Sequence, residues 1–187
     1  MKLRKINLFV CLLALLCLIN FSVSSSFAQT DTTEATMGAV TRDSSYILFW
    51  PIVAGQVKGD SLYFLKSLKE NLREKFIFND LKKAEYAITL SEKRVLEAEK
   101  LFLDKKDFSN AEETLKAAQN SREKAVQFIQ KARETNQSTS DVENRFKKSL
   151  EKQRSLLQFL ISQVPSDKKT SLEKNIESLN SILTKLD

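Results

Sequence analysis

Apolar positions recur at three- and four-residue spacing along most of this chain, the period of one helix face. The first stripe is Leu65, Leu68, Leu72 and Phe76, opening after the N-cap residue Asp60 and closing near Phe78. A second helix is expected over about 80–104, capped by Asn79 or Asp80. Here Leu81, Ile88, Val95 and Phe102 recur every seven residues, with Ala84, Ser91 and Ala98 three further on. Small residues at that second position let a neighbouring helix approach closely.

The segment "LDKKDF" reads as a turn, and Ser109 with Glu112 as a capping box opening a third helix. Its stripe is Ala111, Leu115, Ala118, Ala125, Ile129 and Ala132, with Phe128 beside it. "TNQSTS" makes the next break, and Ser140 with Glu143 repeats the capping box. Val142, Phe146, Leu150, Leu157, Leu160 and Val164 then point inward on a fourth helix. Pro165 ends it, and Ser166-Asp167 caps a last helix carrying Leu172, Ile176, Leu179, Leu183 and Leu186.

From Asp60 to Val164 there is neither Gly nor Pro, so helices joined by short polar turns are expected throughout. Short turns make successive helices antiparallel. The predicted fold is all-α: an antiparallel bundle of about five helices, three or four of them long. The runner-up is an elongated coiled-coil hairpin, favoured by the heptad spacing and the high charge. A helical core is placed at 60–135 and a C-terminal helical extension at 140–187.

Ahead of the helices the pattern is different. "YILFWPIVAGQV", Tyr46 to Val57, is densely apolar and holds both Pro51 and Gly55. It is too short to span a bilayer, and those two residues break the helix that spanning would need. Left in water it would be a large apolar patch. The expectation is an extended segment over 46–59 that clasps the bundle, with Ile47, Phe49, Trp50, Ile52 and Val53 laid across the first helices. Residues 29–45 are polar, Thr-rich and aperiodic, and read as a flexible lead.

The chain opens with Lys2, Arg4 and Lys5, an apolar run from Leu8 to Ile19, and a small-residue tract ending Ser26-Phe27-Ala28. That is the layout of a secretory signal peptide over 1–28. Export is therefore expected, to a secreted, periplasmic or cell-surface location, with membrane tethering if the segment is not cleaved. Both cysteines, Cys11 and Cys17, lie in this leader, and the chain has no histidine. Removing the leader would lower the net charge from +6 to about +3, too weak a balance to argue for nucleic acid.

Without His or mature Cys the usual general base, thiol nucleophile and commonest metal ligands are all missing. No catalytic motif appears, so no catalytic residue, cofactor or metal site is expected, and the protein is read as not an enzyme. Glu85, Glu92 and Glu99 recur every seven residues beside the Ile88 stripe. They are read as a solvated, salt-bridged flank. The basic groups Lys66/Lys69/Arg73, Lys147/Lys148/Lys152 and Lys168/Lys169 are interleaved with acids and read as mixed helix surface.

Three pieces carry a family likeness: Leu62-Tyr63-x-Leu65-Lys66-x-x-x-Glu70, Lys83-Ala84-Glu85, and Leu90-Ser91-Glu92-x-Arg94-x-x-Glu97-Ala98. With the aromatic stretch Tyr46 to Pro51 they resemble the domain-of-unknown-function family 5667 over about residues 46–130. Ser61 departs from the Pro that such proteins often carry at the first helical position. The resemblance implies an exported or membrane-tethered helical protein and brings no activity. The same polar residues suggest a structural network of Tyr63, Lys66, Glu70, Arg94 and Glu97, fixing the register of the first two helices.

The functional expectation is a non-catalytic exported helical protein with a structural or interaction role, touching other envelope proteins or itself. The alternative is a small-molecule or ion-binding protein with a pocket between the aromatic segment and the bundle.

Overall fold

The computed structural model describes residues 42–186. The expected leader (1–28), its two cysteines and residues 29–41 of the expected lead lie outside them. Among the described residues six α-helices follow one another: α1 (Arg42–Phe49), α2 (Tyr63–Lys75), α3 (Asp80–Lys100), α4 (Phe108–Glu134), α5 (Ser140–Gln163) and α6 (Lys169–Leu186). A π-helical turn, Leu101–Lys105, extends α3, and a 3-10 turn, Ser166–Lys168, leads into α6. No strand occurs among the described residues.

Helices α3 to α6 form a four-helix bundle in which α3 packs beside α4 and α5, and α6 beside α4 and α5. Contacts Phe102–Phe108 and Lys83–Phe128 show that α3 and α4 run antiparallel. Thr89 meets Arg145 and Ser91 meets Gln153, so α3 and α5 run parallel. Helices α4 and α5, neighbours in sequence, therefore face each other across the bundle's diagonal.

The heptad positions make the core. Ile88, Val95, Phe102, Ala84 and Ala98 are wholly buried, as are Ala111, Leu115, Ala118, Ala125, Phe146, Leu150, Leu157 and Leu160. Burying one such Leu or Phe is worth about 1.5–3 kcal/mol. Leu156 and Ile182 join this core beyond the expected stripes, and Ile176, Leu183 and Leu186 pack only partly buried at its edge.

Local signals set the helix ends, not always with the expected residue. Asn79 Oδ1 accepts from Lys82 N at 3.0 Å and caps α3. Helix α4 is capped by Asp107, whose Oδ1 accepts from Asn110 N at 3.1 Å, rather than by Ser109. Lys106 at φ 54 turns the chain from the π turn into that cap. Ser140 is already helical, behind Thr139, which makes no side-chain capping bond. Asp60 does not cap α2: its carboxylate accepts from Val57 N at 2.8 Å and pairs with Lys105, closing a turn through Gly59 at φ 93.

The apolar block is not an extended clasp. Residues through Phe49 form α1, followed by a turn across the cis Trp50–Pro51 bond. Ser45 and Phe49, one turn apart, face the bundle and are buried, and Ile52 packs partly buried. Ile47, Trp50 and Val53 are exposed. A helical period places Ile47 on the side opposite Ser45 and Phe49, where an extended chain would have alternated.

Candidate functional site

Helix α2 is attached to the bundle by its polar face. Lys66 and Glu70, one turn apart, meet Arg94 and Glu97 on α3. Arg94 Nη1 donates to both Glu97 oxygens, at 2.6 and 2.8 Å, while its Nη2 donates to Glu70 Oε2. Lys66 Nζ pairs with Glu97 and also donates to the carbonyls of Ala54 and Gln56, at 2.8 and 2.6 Å. Tyr63 lies half-buried beside Lys66, with the ammonium 5.8 Å from its ring centre. The structure thus brings all five residues Tyr63, Lys66, Glu70, Arg94 and Glu97 together. Tyr86 adds a hydroxyl bond to the Glu70 carbonyl at 3.1 Å.

Lys66 and Arg94 meet the two carboxylates at hydrogen-bond distance, with Lys93 further out beside Glu70, and burial raises the stakes of each. Glu97 is fully enclosed. Burial pushes its carboxyl above the ordinary range, against the opposing pull of Arg94 and Lys66. Burial opposes the charged form of Arg94, but Glu97 and Glu70 outweigh it, and its pKa moves up. Burial also raises the Tyr63 phenol. Glu70 Oε1 is buried without a hydrogen bond, Lys93 Nζ being 3.6 Å away.

The consequence lies on the other side of α2. Its stripe of Leu65, Leu68, Leu72 and Phe76, expected to face the core, points to solvent, together with Leu62, Phe64 and Phe78. Phe76 is 72% and Phe78 84% exposed. The only buried residue of α2 is Glu70. The reason is competition: the apolar stripe of α3 is already covered by α4 and α5. What α3 offers α2 is Tyr86, Lys93, Arg94 and Glu97, and only the polar face of α2 matches it.

Two further polar arrangements were not anticipated. Glu92 and Glu99 are buried rather than solvated. Glu99 accepts from the Ser45 hydroxyl at 2.8 Å. Burial raises the Glu92 carboxyl, offset in part by a hydrogen bond from Ser149 and the charges of Arg145 and Lys152. Glu85 alone of the three keeps the expected flank role, paired with Lys82 at 2.9 Å.

At mid-bundle a polar layer crosses four helices. Arg122 donates to Gln153 Oε1 at 2.9 Å and to Asn175 Oδ1 at 2.8 Å, and Gln153 Nε2 donates to Ser91 Oγ at 2.9 Å. Burial lowers Arg122 to about 10, so it stays charged at neutral pH. A signal was present in the sequence: each member sits at a core-register position, Ser91 after Ile88, Arg122 after Ala118, Gln153 after Leu150 and Asn175 after Leu172.

The surface also carries shallow open recesses. One of about 470 Å³ lies between Trp50–Ile52 and α5, with Arg145, Lys148 and Lys152 on its α5 wall. Another of about 450 Å³ lies beside Tyr86. Among the described residues no helix is long and apolar enough to cross a membrane.

Comparison with known proteins adds one relationship. No curated protein and no solved structure matches this chain. The match to one family covers residues 55–186: it begins after most of the aromatic block and takes in α5 and α6, beyond the stretch 46–130 that carried the resemblance. Helix α2, its polar mooring on α3 and the whole four-helix bundle fall inside that span, and the chain belongs to the family of the domain of unknown function DUF5667.

Proposed function

We propose that this protein is a non-catalytic exported helical module that works by contact in the cell envelope, and that the outward apolar face of α2 is its contact surface. The observation that carries this reading is the inversion of α2. A helix held by a buried ion network presents Leu65, Leu68, Leu72 and Phe76 to solvent. Contiguous exposed apolar patches on a folded protein mark interaction sites. The residue inventory supports a non-catalytic role, since the chain has no histidine and its cysteines lie in the signal-like leader.

Two measurements test it together. Leu68→Ser/Leu72→Ser should change the stability of the protein by no more than about 0.5 kcal/mol, as for exposed positions. A loss of several kcal/mol would mean the stripe is packed, and the reading would fall. A photo-crosslinking residue at Leu68, in cells that make the protein, should give adducts that one at exposed Glu173 does not.

The alternative, a small-molecule or ion-binding protein, is supported by the recess beside Trp50 with its basic α5 wall. Trp50 is the only tryptophan, so a saturable change in its fluorescence on titration with small anions would favour that reading.

A further inference from the structure

We infer that the occupant of the α2 face is an anionic lipid surface, with the helix lying in the plane of the bilayer interface. This rests on the contact role proposed above and names its partner. Helix α2 is 13 residues long, short of the roughly twenty needed to span. Its apolar residues from Phe64 to Phe76 cover an arc of roughly 120° at 100° per residue. Leu and Phe on one face with Lys and Arg at the edges is the composition of an interfacial helix.

Charge on α2 is sorted by direction. Both of its acids are turned to the protein, Glu70 to Arg94 and Glu74 to Lys124. Lys69, Arg73 and Lys75 are exposed around the stripe, and Lys69 and Lys75 make no ion pair among the described residues. Arg73 stacks over the Tyr86 ring at 5.2 Å. The outward half of α2 is therefore apolar and cationic, with no carboxylate.

That distribution selects among occupants. A second copy docking α2 on α2 would set Lys69, Arg73 and Lys75 against the same cations, with no acid to meet them. A bilayer bearing anionic headgroups meets both properties at once: acyl chains for the leucines and phenylalanines, phosphates for the cations. The ion network then has a purpose beyond register, since it holds α2 with its apolar side away from the bundle.

The test places a depth reporter on the helix in the full chain. In a Trp50→Phe background, Phe76→Trp puts the only tryptophan on the exposed α2 face. The protein is mixed with phosphatidylcholine vesicles with or without phosphatidylglycerol, carrying brominated acyl chains as quencher. The expected result is a blue shift and quenching with phosphatidylglycerol, with partitioning at least about tenfold weaker into phosphatidylcholine alone. Lys69→Glu/Lys75→Glu and added salt should each weaken it. Reading quenching at position 76 separates α2 from any binding by the apolar leader.

Absence of quenching in phosphatidylglycerol vesicles would overturn the inference, as would equal quenching in both lipids. A blue shift that grows with protein concentration without lipid would overturn it in favour of a second copy. If quenching fails while Leu68 still crosslinks to a protein in cells, the contact role stands and the occupant is a protein. If both fail, both readings go.

Discussion

Arg122 on α4 reaches across the bundle diagonal to Gln153 on α5, Nη1 to Oε1 at 2.9 Å, from a site with no solvent exposure. It makes no salt bridge among the described residues, and its Nε has no hydrogen-bond partner. A buried cation held only by neutral amides contributes little net stability, yet removing it alone strands its acceptors.

Arg122→Met should therefore cost about 2–4 kcal/mol, because Gln153 Oε1 and Asn175 Oδ1 lose their donor. Adding Gln153→Leu and Asn175→Leu should recover most of that loss, since an apolar layer replaces the polar one. Urea unfolding of the single and triple variants decides it. A triple variant no more stable than the single one would show that the layer is net stabilising.

Arg94→Ala leaves the Glu70 and Glu97 carboxylates buried and short of their donor. The expected cost is about 3–5 kcal/mol. Because α2 is held mainly through this network, cleavage within residues 60–78 in limited proteolysis should accelerate more than cleavage within α4. Arg94→Lys should fall between, one ammonium being unable to serve both carboxylates in fork geometry. An unchanged melting temperature for Arg94→Ala would refute the mooring role.

Glu92 and Glu97 both have carboxyls raised by burial. Between the ordinary carboxylate pKa and the raised one the folded protein binds more protons than the unfolded chain. Stability from these two groups therefore falls as pH rises through that window, and the burial cost is fully present above it. Glu92→Gln should be more stable than the parent at pH 7 and should lose the Glu92 share of this pH dependence, Glu97 keeping its own. Thermal midpoints from pH 4 to pH 8 would show it, and a variant less stable at pH 7 would contradict it.

The aromatic block divides in the same way. Phe49 is buried at the end of α1, and Phe49→Ala should cost about 3–5 kcal/mol. Trp50 is 62% exposed and packs edge-on against Tyr46, with ring centres 5.3 Å apart. Trp50→Ala should change stability by no more than about 0.5 kcal/mol. Equal losses at the two positions would restore the picture of a continuous clasp.

The pattern of apolar positions by itself determined the helical class, the approximate helix ends and most of the core. These follow from periodicity and from breakers, which act over neighbouring residues. Tyr63, Lys66, Glu70, Arg94 and Glu97 were also legible as one group, because spacing along two antiparallel helices places them opposite each other. What the tertiary structure decided is which way α2 faces. Its leucine stripe has the period of a core face, but the stripe of α3 is filled by α4 and α5, so the ion pairs dock α2 and leave the leucines outside. Periodicity shows that a helix has an apolar side. Only the arrangement of its neighbours decides whether any apolar surface remains to receive it.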